Sequence, residues 1–573
     1  MTTGSRLLLL SAALVMAGCA DSEQTEQALS TDSSDGVSFS DGTQASGVQF
    51  QHHAGRTELK LLPEIMGSGV AIADFNRDGA PDLILVNAGD LNASERAGIA
   101  ANKLYINDGK GNFRDASSEW LLPSRGYGMG VAVGDYDNDG YVDLFLTHFD
   151  GDDRLLRNSG DQFVDVTVDA GLQSDGQWST SAGFFDYDRD GHLDLYQVRY
   201  LKFSIADAPK SFRNQLLIYP TPLLFEGVAD RVWKGTGAGN FNDVSEQLGL
   251  HLAPSKGLAL AIGDLDADGV DEIYVANDTA ANQLWIAQST APWQDIGAVS
   301  GAAYDDQGRE EGSMGADYAD IDGDGLLDIT VSNFQLEATS IYRQEQPLLF
   351  RESADVLGIG QSSRARLSFG IDFFDVNNDG WEDLLVANGH IEDNVHLNSE
   401  SVSFAQQNSL YLNLGDGHFR DISAQAGEAL AQLAVSRGLA TGDLNGDGAL
   451  DFVVSNNDGP AQVAFNQSQA GQFLMLWLEG SRSNRSAIGA RVEARVGSRV
   501  LQRQIMGVQS YLSVSDFRLH FGLGDAAQVD QLTVHWPSGE VQQFEDLAGG
   551  SFYHLVEGGQ PQTYVPGQRV IAP

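Results

Sequence analysis

Seven nine-residue acidic segments, spread along most of the chain, constrain its fold more than any other feature. The first carries side-chain oxygens on Asp74, Asn76, Asp78 and Asp82, with Gly79 at its sixth position. The pattern returns as Asp135, Asp137, Asp139 and Asp143, as Asp186, Asp188, Asp190 and Asp194, and as Asp264, Asp266, Asp268 and Glu272. It then recurs as Asp320, Asp322, Asp324 and Asp328, as Asp375, Asn377, Asp379 and Asp383, and as Asp443, Asn445, Asp447 and Asp451. In the fourth copy, register with the following apolar run makes Glu272, rather than Asp271, the ninth residue. A hard cation such as Ca2+ takes about six to eight oxygens, and a chain curling round it turns alternate side chains inward. Positions 1, 3 and 5 therefore read as carboxylate or amide ligands, position 7 as a carbonyl ligand and position 9 as a closing, bidentate one. Glycine at position 6 permits the sharp turn. About seven structural Ca2+ ions are expected, one per loop.

The flanks decide the fold class. An EF-hand loop needs a bidentate Glu at position 12 and a helix on each side, and neither is present. Each ninth residue instead opens an apolar run, such as Leu83 to Val86 after Asp82 or Phe452 to Val454 after Asp451. Before each loop stands an apolar stretch containing Gly69, Gly130, Gly183, Gly257, Gly315, Gly370 or Gly438. Each loop is thus predicted to be the turn of a β-hairpin whose strands, apolar on both faces, need covering neighbours. A second element also occurs seven times, an aromatic followed two residues later by an acid. The pairs are Phe39/Asp41, Phe113/Asp115, Phe163/Asp165, Phe241/Asp243, Trp293/Asp295, Phe350/Glu352 and Phe419/Asp421. A glycine falls eight residues after each aromatic except where Leu121 stands.

Order matters as much as number. The first aromatic–acid pair precedes every loop, and none follows the last loop. The sequence therefore predicts an all-β, seven-bladed β-propeller over residues 37–470, in which the strand around Phe39 completes the seventh blade and removes an open edge. The longest interval between loops contains residues 202–232, with Pro209, Pro220 and Pro222, and reads as an excursion on one face.

Residues 1–18 read as a signal segment, with Arg6 ahead of an apolar run, Leu7 to Ala17, too short to cross about 30 Å of hydrocarbon. Met16, Ala17, Gly18 and Cys19 together are similar to a bacterial lipobox, so Cys19 is the expected lipidation site. It is the only cysteine, which excludes any disulfide within the chain. Residues 19–36 would be a flexible linker from an outer-membrane lipid anchor, with the protein facing the periplasm or the cell surface. A net charge of -46 argues against nucleic acid as a partner.

The loops resemble the FG-GAP/VCBS repeats of the integrin α propeller class. The stretches Ser483–Val492, Tyr511–Gly524 and Val534–Gly539 together resemble the ASPIC/UnbV domain, which follows such propellers in the cartilage acidic protein family and its bacterial relatives. Pro63–Phe75 and Asn388–His390 look like that family's first and sixth blades. The resemblance implies a calcium-binding, extracytoplasmic protein of the adhesion or interaction type. Read from its own residues, segment 471–560 alternates apolar and polar side chains between glycine-rich turns and is expected to be a small β-sandwich-like domain without metal, followed by a tail at 561–573.

Two functional readings follow. The first is a calcium-stabilised scaffold or adhesion-type protein that binds a protein or glycan. The alternative is a calcium-stabilised polysaccharide lyase or hydrolase, since propellers host such chemistry. Outside the loops the best polar cluster is His390, Glu392, Asp393 and His396, either a metal or base site or a hydrogen-bonded turn. No catalytic residue is assigned.

Overall fold

Each acidic loop joins two antiparallel strands, and each hairpin gains two further strands to make a four-stranded sheet. The computed structural model, which describes residues 36–91, 101–124, 126–397, 399 and 401–569, contains seven such sheets in the N-terminal part of the chain. Cys19 and the expected signal segment lie outside the described residues. Inner strands run Val70–Ala73, Gly128–Gly134, Ser179–Phe185, Gly257–Gly263, Ala316–Ala319, Ser368–Phe374 and Ser436–Gly442, buried throughout. They neighbour one another in that cyclic order, the last returning to the first. Apolar side chains on both faces are thereby covered by the adjacent sheets, which is why these strands read as continuous apolar runs.

The ring is closed by the start of the described chain. Phe39–Asp41 pairs antiparallel with Gln462–Asn466, placing Phe39 opposite Asn466 in the seventh sheet. The Phe39 ring is 1% exposed and lies 5.0 Å from Phe452 and 6.4 Å from Phe374. Its N–H donates to the carbonyl of Ala426 at 2.8 Å, tying the seventh blade to the sixth.

The glycine before each loop has a steric cause. A Cβ on Gly130 would stand 2.6 Å from the Thr180 carbonyl oxygen of the next inner strand, and one on Gly315 2.2 Å from that of Phe369. A Cβ on Gly370 would meet the Arg437 oxygen at 2.6 Å. Inner strands approach more closely than any larger residue allows.

Beyond the ring, two four-stranded sheets pack face to face. One contains Gln472–Glu479, Leu519–Gly524, Ser551–Val556 and Gln562–Thr563; the other contains Arg491–Val496, Arg499–Gln504, Gln528–His535 and Val541–Ala548. Leu474, Leu476, Val492, Leu532, Phe521 and Leu555 share their core.

The segment between Gln504 and Leu519 leaves this sandwich and fills the centre of the ring, a placement the alternation of the sequence does not disclose. Val514 bridges Ala71 in parallel, accepting from Ile72 N–H and donating to Val70 O, both at 3.0 Å. Leu512 O accepts from Val131 N–H at 3.1 Å, and Ser510 exchanges backbone hydrogen bonds with Ala316. The Ser515 hydroxyl accepts from Thr441 N–H at 3.0 Å, and that of Ser510 from Ile371 N–H at 3.1 Å. Five blades thus share one central segment. At its tip Tyr511 is fully buried, its hydroxyl donating to Met66 O at 3.1 Å and its ring 5.1 Å from Phe369.

The excursion at 202–232 covers the opposite mouth of the ring. Tyr219 donates its N–H to Glu392 at 2.7 Å and its hydroxyl to Glu64 at 3.3 Å. Lys60 pairs with Glu392 at 3.2 Å and Asp393 at 2.5 Å, so three segments remote in sequence are cross-tied there.

Candidate metal centres in seven hairpin turns

All seven acidic loops adopt one backbone conformation. The glycine at position 6 has positive φ in every copy, from 81° at Gly79 to 96° at Gly140. Position 4 is left-handed as well, although five of its residues carry side chains: Arg77 (59°), Asn138 (58°), Arg189 (56°), Ala267 (59°) and Asn378 (57°). A left-handed residue other than glycine costs on the order of 1 kcal/mol, and it persists where surrounding bonds over-determine it.

Those bonds come from the first and ninth residues. In every loop the first carboxylate accepts from the N–H groups of positions 5 and 6, as Asp74 does from Asp78 at 3.1 Å and Gly79 at 2.7 Å. The ninth carboxylate accepts from the N–H of position 2, as Asp82 does from Phe75 and Asp451 from Leu444, each at 3.0 Å. Its second oxygen accepts from the third strand, Asn107 N–H reaching Asp82 at 2.9 Å and Asn466 N–H reaching Asp451 at 2.8 Å. In the fourth blade Glu272 takes the ninth position, opposite Gly263, and accepts from Leu265 at 2.9 Å; the third-strand N–H of Ala287 there turns to Asp271 O. Each ninth oxygen keeps a second lone pair for a cation.

Carboxylate oxygens converge within 4.8 Å of one another in Asp135, Asp137 and Asp143; in Asp186, Asp188 and Asp194; in Asp264, Asp266 and Glu272; and in Asp320, Asp322 and Asp324. In the other loops Asn76, Asn377 and Asn445 hold the third position, beside Asp74, Asp78 and Asp82, beside Asp375, Asp379 and Asp383, and beside Asp443, Asp447 and Asp451. Asp139, Asp190, Asp268 and Asp328 complete the candidate sets. The donors are all oxygens, the chemistry of a hard divalent cation, and Asp188 Oδ1 is buried without a hydrogen-bond partner. Burial and, behind it, neighbouring carboxylates push the first acids up, Asp74 and Asp135 to about 7, Asp186 and Asp264 to about 6. Burial lifts the ninth acids further, Glu272 to about 10. Like charges this close are costly until a counter-cation is supplied.

The sequence reading overlooked a set of third-strand amides that tie loop to loop. Asn107 Nδ2 donates to Pro81 O of its own loop at 2.9 Å and to Leu444 O of the seventh loop at 2.8 Å. Asn158, Gln344, Asn413 and Asn466 repeat the bridge to the preceding loop. For four of them a recurring Asn or Gln six residues before the strand aromatic, and five in the tighter second blade, was the available signal; Asn466, whose partner aromatic Phe39 lies at the other end of the ring, lacked it.

The sandwich covers the loop face. Arg77 pairs with Glu479 at 3.0 Å, Arg503 with Glu382 at 3.1 Å, and Arg499 donates to Asp379 O at 2.7 Å. Arg518 donates to Gly79 O at 3.1 Å and Asp443 O at 3.2 Å. By contrast, His390 Nδ1 accepts from Glu392 N–H at 2.9 Å while Lys60 occupies Glu392 and Asp393, so this cluster is a braced turn; His396 lies in the short helix Val395–Leu397.

Residues 74–146, 135–196, 264–331, 320–386 and 375–454 each match the FG-GAP-like repeat, together more than half of the chain. The chain belongs to the FG-GAP repeat family. Behind its FG-GAP repeats, residues 480–562 match the ASPIC and UnbV domain. Cartilage acidic protein 1 of Mus musculus is 24% identical over 84% of this chain and 72% of its own length, and that of Homo sapiens 23% over 86% and 72%. Human integrin alpha-7 is 30% identical over 28% of this chain and 15% of its own length. A solved Agrocybe aegerita lectin that recognises non-reducing terminal N-acetylglucosamine aligns with a TM-score of 0.37 at 14% identity, covering 69% of this chain and 86% of its own. Among the described residues no helix is long and apolar enough to cross a membrane.

Proposed function

We propose that this FG-GAP repeat protein is an exported scaffold whose ring is stabilised by about seven Ca2+ ions and which binds a protein or glycan partner. The observation that carries the calcium reading is the shared backbone course of seven loops, four of which bring the carboxylate oxygens of three acids within 4.8 Å of one another. Bound calcium would supply charge neutralisation and a cross-link between the two strands of each hairpin, in a chain whose single cysteine rules out internal disulfides. The kinship to cartilage acidic protein 1 and integrin alpha supports the scaffold role. On this reading Cys19 carries the lipid that holds the ring at an outer membrane.

Elemental analysis and thermal melts with and without chelator test the metal. Bound calcium and a melting midpoint lowered by 10 °C or more in chelator are expected; a metal-free protein with an unchanged melt overturns the reading. Pull-down from intact cells should recover a partner only with calcium present. Turnover in a screen of acidic and neutral glycans would replace the scaffold by an enzyme.

A further inference from the structure

We propose that Lys234 and Arg343 are tethered competitors of the metal, which make the third and fifth loops the low-affinity members of the set. The inference rests on the calcium reading above and divides its seven sites into classes. Both side chains occupy the same register position, on the third strand of their blade. Lys234 pairs with Asn242 next to the pair Gly235 and Phe241, and Arg343 pairs with Arg351 next to the pair Gln344 and Phe350. From there each reaches back over its own loop. The Lys234 ammonium bonds to the Asp188 carboxylate and lies 3.6 Å from Asp190, while the Arg343 guanidinium pairs with Asp322. Asp188 and Asp322 are the position-3 residues of loops three and five, so each cation neutralises an oxygen set aside for the metal.

The occupants of this register follow the charge of the loop they face. Where position 3 is neutral, as Asn76, Asn377 or Asn445, the facing residue is Ile106, Leu412 or Phe465. Where it is Asp137, Asp188 or Asp322, the facing residue is Arg157, Lys234 or Arg343. Arg157 acts on Asp137 through its charge without an ion pair among the described residues, whereas the other two bond to the position-3 carboxylate of their loops. Loop four breaks the pairing, with Asp266 facing Ile286; among the described residues no ion pair reaches Asp266, although the Arg189 charge acts on Asp264.

An extra positive charge held beside a divalent cation repels it, and a cation already bonded to a ligand must first be displaced. Calcium can still enter both loops, because the Lys234 and Arg343 side chains are 32% and 46% exposed and have room to swing into solvent. They should bind about tenfold to a hundredfold more weakly than the fourth loop.

The test uses the whole protein titrated with calcium alone, followed by calorimetry and by native mass spectrometry that counts bound ions. The wild type should pass through a five-ion species before reaching seven. In K234M/R343M the last two ions should bind at least tenfold more tightly and the five-ion plateau should vanish. A melt supplies a second readout: the double variant should be less stable than wild type in chelator, where two loops lose their counter-charge, and as stable or more so in saturating calcium. A purely structural role for these side chains would lower both melts. One class of sites in the wild type, or an unaltered titration in the variant, overturns the proposal while leaving calcium binding intact; a protein that takes up no calcium overturns the reading beneath it.

Discussion

Removing the strand that closes the ring should cost the fold about as much as it has to lose. Residues 37–50 bury Val37 (0% exposed), Phe39 (1%), Val48 (3%) and Phe50 (6%). At roughly 1.5–3 kcal/mol for each fully buried apolar side chain, their transfer alone amounts to about 6–12 kcal/mol, comparable with the roughly 5–15 kcal/mol of net stability of a typical domain. Deletion of 37–50 should therefore yield aggregated or unfolded protein, because the Gln462–Asn466 strand also becomes a bare edge. The gentler Phe39→Ala leaves the backbone pairing and removes one core ring, at about 3–5 kcal/mol. With about 2 °C lost per kcal/mol in a chain of this size, its melting midpoint should fall by roughly 6–10 °C. Circular dichroism melts in millimolar calcium read this directly, with deletion of residues 20–34 as the control that leaves the midpoint in place. Equal midpoints for the two deletions would refute ring closure by this strand.

Other expectations are as direct. Asn466→Ala removes donors to Val376 O and Leu450 O and should cost about 2 kcal/mol, seen as a lowered denaturation midpoint; a neutral result would dismiss the amide bridges as stabilisers. Gly69→Ala would place a Cβ 1.7 Å from Leu512 O, so it should loosen the central segment and expose Tyr511 to fluorescence quenchers, which the wild type resists. Hydrogen bonding from His554 and the charges of Arg77 and Arg485 hold the buried Glu479 carboxyl at about 2, against an ordinary 4.5, despite the opposing push of desolvation. A depressed carboxyl stabilises the fold above its unfolded value and loses that contribution as pH falls towards 2. Glu479→Gln should therefore be less stable by about 3 kcal/mol at pH 7, with the gap narrowing below pH 4.5; a gap independent of pH would show that packing, not charge, is responsible.

The ring and its loops were readable because metal coordination demands fixed spacing. Asp at position 1, Gly at position 6 and an acid at position 9, Asp in six loops and Glu272 in the fourth, survive every change in the residues between them, and the orphan Phe39 announced closure by its order alone. The inserted segment was not readable. Between Gln504 and Leu519 the residues look like any sandwich strand, and the clue lay far away, in glycines such as Gly69 and Gly183 that make room for Leu512 and Val508. Left-handed backbone at position 4 was marked where Asn138, Gly323, Asn378 or Gly446 stands and hidden at Arg77, Arg189 and Ala267, where the constraint comes from hydrogen bonds made by residues on either side. Nor did the interval at 202–232 disclose its role, because Tyr219 acquires a partner only when Glu64 and Glu392 arrive from remote blades.

The Tyr511 segment also sets an order of events for a chain made from its N-terminus. Residues that fill the middle of the wheel are the axle, and they are synthesised after every spoke. Until they arrive, the backbone groups of Val70, Val131 and Ala316 face an empty hub. Blades that assemble early must therefore wait, ajar and solvated, for the end of translation before the wheel can lock. A nascent chain stalled before residue 505 would be expected to stay sensitive to protease across all seven blades.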